Sequence, residues 1–303
     1  MPIVLSENFR ALFYAPFYAA LATGAFRDAG AEVVLRPSPS PQAAAEALRR
    51  GEADVMWGGP LRVIIVHANE PGADLVCFAD VVARDPFFII GARPRADFKV
   101  TDLVRVSFAT VSEVPTPWIC LAHDLRLAGI DPDRLERLSG PSMAENAAAI
   151  RAGTLDAAQL FQPYAEELIA SGAGHLWYAA ATRGLTAYTT LVTRRGTLEK
   201  RHDELLAMTK GMHRTLGWFA ATPPAEIARL LANYFPDVEP AIFAAAIARY
   251  RALDLWGPDP LIRPEGYNWL HAAMRADGTL RRDVAYETCV DTDLARLAIA
   301  ATA

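Results

Sequence analysis

The stretch AEVVLRPSPSPQAAAEALRRGEADVMWGGP, residues 31–60, contains the repeating unit from which the fold follows. Two short apolar segments, residues 31–37 and 53–57, have the length and composition of buried strands. Between them, in residues 41–50, apolar side chains recur at helical spacing until Gly51 ends the run. Strand, helix and strand in succession predict parallel strands with helices on the faces of the sheet.

The same alternation continues on both sides of this stretch. Upstream, residues 2–6 predict a strand, and residues 15–30 predict a helix with Pro16 in its first turn. Downstream, residues 60–69 predict a helix, and two extended segments follow it. The chain is expected to leave the first lobe near Asp85, between these two segments.

A second unit of alternating strands and helices is predicted for residues 85–186, where the alternation restarts with a strand at residues 104–110. Residues 187–193 are predicted to form the strand that returns the chain to the first lobe. Consecutive amphipathic helices follow, which we expect to pack on the first lobe. We therefore predict an α/β fold of two lobes, with residues 1–84 and 187–303 in the first and 85–186 in the second. Two connections form a hinge, so a ligand held between the lobes is enclosed when they close.

Composition and charge exclude several classes of function. The 303 residues are 52% hydrophobic, which is enough for a sizeable core, and the formal net charge is −5. Acidic and basic residues are interspersed, so we expect no nucleic-acid partner and no anionic membrane surface. Three cysteines and six histidines are scattered without metal-site spacing, so no metal site is expected.

The start of the sequence is not expected to act as a targeting signal. It begins MPIVLS, which lacks the charged start and apolar segment of a secretory signal. No apolar run reaches the 18 residues of a membrane span, so we expect no membrane insertion. The expectation is either a cytoplasmic protein or one from which a signal was removed.

Six segments spread along the chain match a known family. In chain order they are NFRALFYAPFYAAL (8–21), GEADV (51–55), RDPFFIIGAR (84–93), LAGIDPDRL (127–135), AIRAGTLDAA (149–158) and RADGTL (275–280). Together they resemble the type II periplasmic binding proteins of the NMT1-like branch, which binds sulfonates, nitrate and thiamine-pyrimidine precursors. The resemblance implies a monomeric, periplasmic solute-binding protein with a small organic ligand and an ABC permease as its partner.

The resemblance also extends to enzymes, the fungal thiamine-pyrimidine synthases, which hold pyridoxal phosphate on a lysine and consume a histidine. Those residues follow the aspartate of the G-x-x-D turn by four and eight positions. Here that aspartate is Asp54, and the positions hold Gly58 and Arg62. The synthases' cysteine cluster falls on residues 183–187, RGLTA, which contain no thiol. We therefore expect a binder without a cofactor. The alternatives are a cytosolic enzyme for pyrimidine-precursor synthesis or aromatic-acid decarboxylation, and a cytosolic ligand sensor.

Candidate ligand contacts follow the predicted strands, because ligands of open α/β lobes bind at the carboxyl ends of strands. Trp57 follows the third strand, and Gly58 and Gly59 would let a ligand approach the backbone N–H groups of the next helix. The indole would then cover a planar face of the ligand. The alternative is that Trp57 lies in the core.

Further candidates lie after the first strand and near the first connection. Arg10, Phe13 and Tyr14 follow the first strand, and Arg10 is either a cation for an anionic ligand or a solvated surface charge. Asp80 and Arg84 either form a salt bridge that clamps the hinge or contact a polar ligand.

The second lobe supplies its own candidates. Ser112, Glu113 and Thr116 precede a helix predicted to begin near Pro117, where free N–H groups can hold an oxyanion. Capping of that helix by Thr116 is the alternative.

An aromatic box is expected where the candidates meet. Phe161 and Gln162 follow a strand of the second lobe, and Tyr188 lies beside the second connection. With Phe13 and Trp57, these rings would suit a small planar or amphipathic organic molecule better than an inorganic ion.

Overall fold

The computed structural model describes residues 1–301, which contain ten strands and fourteen α-helices. The strands are β1 (Ile3–Ser6), β2 (Val33–Arg36), β3 (Val55–Gly58), β4 (Leu75–Val82), β5 (Phe88–Gly91), β6 (Phe108–Ala109), β7 (Arg137–Leu138), β8 (Ala157–Leu160), β9 (His175–Ala179) and β10 (Thr189–Arg194). The helices are α1 (Ala15–Ala22), α2 (Ala25–Asp28), α3 (Pro41–Arg50), α4 (Pro60–Asn69), α5 (Thr116–Leu127), α6 (Met143–Ala152), α7 (Tyr164–Ala170), α8 (Arg195–Lys200), α9 (His202–Ala221), α10 (Pro224–Leu231), α11 (Pro240–Ala252), α12 (Pro264–Ala276), α13 (Tyr286–Cys289) and α14 (Asp293–Ala300). None of the described helices combines the length and apolarity needed to cross a bilayer.

Two five-stranded sheets form the two lobes. The first sheet has the order β2-β1-β3-β10-β4, and the second has the order β7-β6-β8-β5-β9. In the first, β1 pairs in parallel with β2 and β3, whereas β10 is antiparallel to β3 and β4. In the second, β6 is parallel to β7 and β8, and β5 is antiparallel to β8 and β9. The predicted two-lobed α/β fold is confirmed.

The chain passes between the sheets twice. It leaves the first sheet after Val82 and enters the second at Phe88, and it returns between Ala179 and Thr189. We refer to residues 83–87 as the first connection and to residues 180–188 as the second. The lobe boundaries at residues 84/85 and 186/187 stay predictions.

A buried ion cluster joins the two connections. Arg183 donates from Nη1 to Oδ2 of Asp85 at 2.6 Å, and from Nε to Oδ1 of Asp124 on α5 at 3.1 Å. The Arg183 side chain is 4% exposed, and Asp85 is fully buried. Asp85 also accepts a hydrogen bond from the N–H of Phe87 at 3.0 Å. Buried charges are tolerated when they are paired in this way, so the cluster is a structural tie at the hinge.

The C-terminal helices, which were predicted to pack on the first lobe, contact the second lobe as well. Arg249 on α11 donates to Glu166 on α7 at 2.6 Å. Trp269 on α12 lies under the Arg183 guanidinium, 4.9 Å from ring centroid to Cζ. These helices therefore brace the two lobes against each other, beyond the two covalent connections.

The predicted strand over residues 104–110 is reduced to the two residues of β6. The segment before it, Val100–Arg105, instead forms a 3₁₀ helix. The Asp102 carboxylate accepts the backbone N–H of Lys99 at 3.0 Å, which stabilises the start of that turn. This local hydrogen bond favours the 3₁₀ helix, although the β-branched residues of the segment favour a strand.

The predicted helix over residues 15–30 is divided into α1 and α2. Gly24 stands between them with φ of 78°, a left-handed conformation that glycine adopts without strain. Pro16 lies in the first turn of α1, as predicted.

Candidate ligand-binding cleft

Two adjoining cavities lie between the lobes, and together we call them the cleft. The outer chamber, about 610 Å³, is lined by Phe9, Arg10, Ala11, Leu12, Pro41, Glu113, Val114, Met143, Phe161, Gln162, Pro163, Tyr164, Glu167, Tyr234, Phe235, Pro236, Asp237 and Val238. The inner pocket, about 60 Å³, is lined by Asn8, Phe9, Phe13, Tyr14, Pro41, Met56, Gly58, Gly59, Leu61, Arg62, Phe87, Val114, Pro115, Thr116, Tyr188 and Thr189. Phe9, Pro41 and Val114 belong to both linings. The outer chamber has the volume of a small-molecule site, and the inner pocket has room for a few waters or a ligand head group.

Ten of the thirteen candidate residues line the cleft. The inner pocket contains Phe13, Tyr14, Gly58, Gly59, Thr116 and Tyr188, and the outer chamber contains Arg10, Glu113, Phe161 and Gln162. Trp57, Asp80 and Ser112 line neither cavity. The structure therefore brings together residues from the carboxyl ends of strands in both sheets, as the fold class requires.

Aromatic rings form the wall between the two cavities. Phe13 packs edge-on against Phe161 at 5.3 Å between ring centroids, and against Tyr188 at 6.2 Å. Phe87 of the first connection lies 5.3 Å from Phe161, and Phe9 lies 6.4 Å from it. Phe161 of the second lobe thus contacts rings of the first lobe and of the connection, and a ligand here would lie against aromatic surface.

The inner pocket contains polar atoms without partners. Asn8 and Thr189 are 6% and 0% exposed, and no hydrogen bond of normal length joins Asn8 Oδ1 or Thr189 Oγ1 to a described residue, although the Thr189 hydroxyl is near enough to the Tyr14 hydroxyl to oppose the rise of its pKa. The other end of the Asn8 amide donates to the Tyr14 hydroxyl at 3.3 Å. Burial raises the pKa of Tyr14 far above its usual value, so the phenol remains protonated. Unsatisfied buried polar groups are costly, and a ligand group that pairs with them would remove that cost.

Two helices point their N-termini at the inner pocket. α4 begins after Gly59 and α5 begins after Pro115, and no side chain caps either helix. The unpaired N–H groups and positive dipole ends of such helices favour anionic groups. A Cβ at position 59 would lie 3.2 Å from the carbonyl oxygen of Tyr188, so the second connection approaches the backbone closely there.

Arg62 is the cation of the inner pocket. It lies in the first turn of α4 and is partly buried. Burial lowers the pKa of its guanidinium, and the charge of Glu46 opposes this effect. Arg62 forms no ion pair or side-chain hydrogen bond with any described residue.

Arg10 is not available as a free cation. Its Nε donates to Glu7 Oε1 at 3.1 Å, and Nη1 donates to the carbonyl oxygen of Tyr234 at 3.2 Å. The hydrogen bond to Glu7 raises the pKa of Arg10. Arg10 therefore lines the outer chamber with its charge already neutralised.

Gln162 is equally committed to the protein. Its Oε1 accepts the backbone N–H of Glu166 at 2.8 Å, and its Nε2 donates to the Glu166 carboxylate at 3.2 Å. The backbone N–H of Gln162 donates to the Tyr250 hydroxyl at 3.1 Å. Gln162 thus shapes the chamber wall through these bonds.

The predicted position of Trp57 over the ligand is wrong. The indole is fully buried in the first lobe and stacks on Phe17 with 4.6 Å between centroids and 12° between planes. Tyr14 lies between it and the inner pocket, 5.7 Å away. Because strand side chains alternate, Met56 and Gly58 face the pocket side, and Trp57 faces the opposite side of the sheet.

The predicted pairing of Asp80 with Arg84 is also wrong. Arg84 approaches Asp254 at 4.0 Å, whereas Asp80 is buried within β4 and its Oδ1 has no partner. Burial raises the pKa of Asp80 to about 7, with the charge of Arg263 opposing. Asp80 is therefore a buried titratable group that lines neither cavity of the cleft.

We expect Asp80→Asn to be more stable than the wild-type protein above neutral pH. The folded-state pKa of about 7 exceeds the ordinary value of 3.8, so Asp80 contributes most below pH 3.8 and loses that contribution as pH rises through 7. As pH rises, the free energy of unfolding of Asp80→Asn exceeds that of the wild-type protein by at most about 4 kcal/mol, since each unit of pKa corresponds to about 1.4 kcal/mol. Urea unfolding of both proteins across this range measures it. If the two proteins showed the same dependence of the free energy of unfolding on pH, the raised pKa of Asp80 would be contradicted. Asp237→Asn, at an exposed position, is the control and should not change the pH dependence.

The three candidates at the start of α5 lie in different places. Glu113 lines the outer chamber, and its Oε1 accepts the backbone N–H of Met143 at 2.9 Å. Ser112 is exposed on a neighbouring depression. Thr116 is itself the first residue of α5, and its side chain does not cap the helix. Of the two alternatives for Thr116, capping is therefore excluded by the structure, whereas its position in the pocket remains.

Several lining residues had little or no signal in the sequence reasoning. Asn8 follows the first strand and is expected in the same space as Arg10, and Thr189 is adjacent to Tyr188, but only the structure shows that their polar atoms lack partners. The sequence indicates for Arg62 only that it stands where the synthases have a histidine. Tyr234 and Phe235 reach the chamber from beyond α10, a long-range contact that strand position does not predict.

The fold defines a class, the two-lobed binding-protein fold, here with a cleft between its lobes. The model of the NMT1-like family matches residues 9–233, more than half of the chain, and the chain belongs to this family. The protein YtlA of Bacillus subtilis strain 168, which carries the name of a binding protein, is 24% identical over 295 residues, 97% of this chain and 88% of YtlA.

Solved structures share the fold at low sequence identity. The alkanesulfonate-binding protein SsuA from Xanthomonas axonopodis pv. citri, bound to MOPS, matches with a TM-score of 0.73 and 18% identity, over 96% of this chain and 98% of SsuA. The desulfurization enzyme DszB matches with a TM-score of 0.72 and 13% identity, over 99% of this chain and all of DszB. The fold thus carries both binding and catalysis, and function must be argued from the cleft.

Proposed function

We propose that the protein is a solute-binding protein that encloses a small organic molecule between its lobes and delivers it to an ABC importer outside the inner membrane. The observation that carries this proposal is the outer chamber of about 610 Å³, walled by aromatic residues of both lobes at the hinge. Closure of the lobes would remove the ligand from water, and stacking on the rings would contribute affinity.

The thiols support binding over turnover. Cys77, Cys120 and Cys289 are all buried, and none lines the cleft. Burial raises the pKa of each thiol, which disfavours the nucleophilic thiolate. The enzyme alternative therefore gains no candidate cysteine from the structure.

The proposal predicts that ligand binding compacts and stabilises the protein. The ligand is identified by native mass spectrometry of the purified protein and is then titrated into the protein after unfolding and refolding have removed it. We expect a higher unfolding temperature and a smaller radius of gyration in small-angle scattering. Binding without compaction, or chemical conversion of the ligand, would contradict the proposal.

A further inference from the structure

The two ends of the cleft carry opposite charge. At the inner end, Arg62 lies in the first turn of α4 and has no ionic partner among the described residues. Its charge is close to the uncapped N-termini of α4 and α5, which add positive potential. An unpaired, partly buried guanidinium is unfavourable in a folded protein, and an anionic group of a ligand would pair with it.

Two neutral groups at the inner end point to the same kind of ligand group. Thr189 and Asn8 are more than nine-tenths buried and leave Oγ1 and Oδ1 without partners. The Thr189 hydroxyl can donate to an anion. The Asn8 amide can also donate after exchange of its two ends, because the Tyr14 hydroxyl can serve either end. The inner pocket thus offers donors from several directions to one small acid group.

The outer chamber is negative. Glu113, Glu167 and Asp237 line it, and none of the three forms an ion pair with a described cation. Arg10, the cation in that lining, is already paired with Glu7. Burial raises the pKa of Tyr164, and the charges of Glu113 and Glu167 raise it further, so both carboxylates act on the same part of the chamber.

The aromatic lining of the chamber favours a cation as well. The rings that surround these carboxylates are Phe9, Phe161, Tyr164, Tyr234 and Phe235. Aromatic faces attract organic cations, and the attraction is larger where water is excluded. Rings and carboxylates together are the chemistry that recognises an ammonium group.

We propose that the ligand is dipolar, with an acid group held in the inner pocket by Arg62 and a cationic group in the outer chamber among the carboxylates. This inference rests on the proposed function and adds the chemical class of the ligand to it. The body between the two charges is apolar or aromatic and lies against Phe13 and Phe161.

Three matched probes test the charge requirement by isothermal titration calorimetry. They are 4-(aminomethyl)benzoate, which carries both charges at opposite ends of a planar ring, 4-methylbenzoate, with the acid alone, and 4-methylbenzylamine, with the amine alone. We expect 4-(aminomethyl)benzoate to bind at least about tenfold more tightly than either control, since a hydrogen-bonded charge contributes about 1.5 to 3 kcal/mol. Equal binding of a singly charged probe, or no binding of any probe at millimolar concentration, overturns the dipolar ligand.

Two variants assign the ends. Arg62→Gln should weaken both acid-bearing probes by about tenfold or more and leave 4-methylbenzylamine unchanged. The double change Glu167→Gln with Asp237→Asn should weaken the two amines and leave 4-methylbenzoate unchanged. Arg229→Gln, at an exposed position on α10, should change nothing. The reverse pattern, or equal effects on all probes, overturns the orientation.

The outcomes separate this inference from the proposed function. If the probes compact the protein but bind equally whatever their charge, the enclosure of a ligand between the lobes is supported and the dipolar ligand is contradicted. If 4-(aminomethyl)benzoate binds more tightly than the singly charged probes but does not compact the protein, the dipolar ligand is supported and the enclosure between the lobes is contradicted.

Discussion

Replacing Arg183 by alanine should lower the free energy of unfolding by about 3–5 kcal/mol. Arg183 pairs with Asp85 and Asp124, and the Arg183 and Asp85 side chains have almost no contact with water. Without the guanidinium, Asp85 would remain fully buried beside Asp124 with no cation to offset its charge. Burial already raises the pKa of Asp85, and Arg183 is the main group that opposes this effect.

Urea unfolding at neutral pH measures the change. The matched control is Arg27→Ala, because Arg27 approaches Asp28 at 3.6 Å and the two side chains are 79% and 64% exposed. Exposed pairs of this kind contribute about 0 to 1 kcal/mol. Similar losses in the two variants would show that the buried cluster has no special role. A protein that opens its lobes without losing stability would show that the cluster sets only the hinge angle.

Trp57→Ala should also cost about 3–5 kcal/mol, the range for removing a large aromatic side chain from a core. The indole stacks on Phe17 and meets Tyr18 edge-on at 5.5 Å, and it is fully buried. Its removal leaves a cavity behind Tyr14 that the rigid sheet cannot fill. The free energy of ligand binding should change by less than the free energy of unfolding, because Tyr14 separates the indole from the inner pocket.

Trp57→Phe is the conservative comparison. Phenylalanine keeps a ring on Phe17 and removes Nε1, which has no hydrogen-bond partner among the described residues. We expect a loss less than half that of Trp57→Ala in chemical denaturation. If Trp57→Ala abolished binding of 4-(aminomethyl)benzoate while leaving stability intact, the assignment of Trp57 to the core would be wrong.

The order of strands and helices was predictable because it depends on local periodicity. The alternation in residues 31–60 appears in the structure as β2, α3 and β3, with Gly51 in the left-handed conformation at the end of α3. Strands buried on both faces read as continuous apolar runs, and helix ends carry their own residue preferences. Both signals lie within the segment itself.

The face on which a side chain lies was less predictable. Trp57 and Gly58 are consecutive, yet opposite sides of one strand separate the core from the cleft. A one-residue difference in register decides between the two sides, and a strand of four buried residues shows no alternation from which to choose.

The partners of charged residues depended on contacts between distant segments. Asp80 and Arg84 were close enough in sequence to suggest a pair, but the positions of α11 and of the loop after it give Arg84 a different neighbour. The ion cluster of Arg183 joins three segments that lie far apart in the chain. Charge pairing of this kind becomes visible only once the fold is known.

The position of β10 has a consequence for how the protein is made. β10 lies between β3 and β4 in the first sheet, although it follows the whole second sheet in sequence. During synthesis from the N-terminus, all five strands of the second sheet emerge before the first sheet can close. The part of the chain made first is therefore completed last, and a fragment that ends before residue 189 would contain every strand of the second sheet but only four of the five strands of the first.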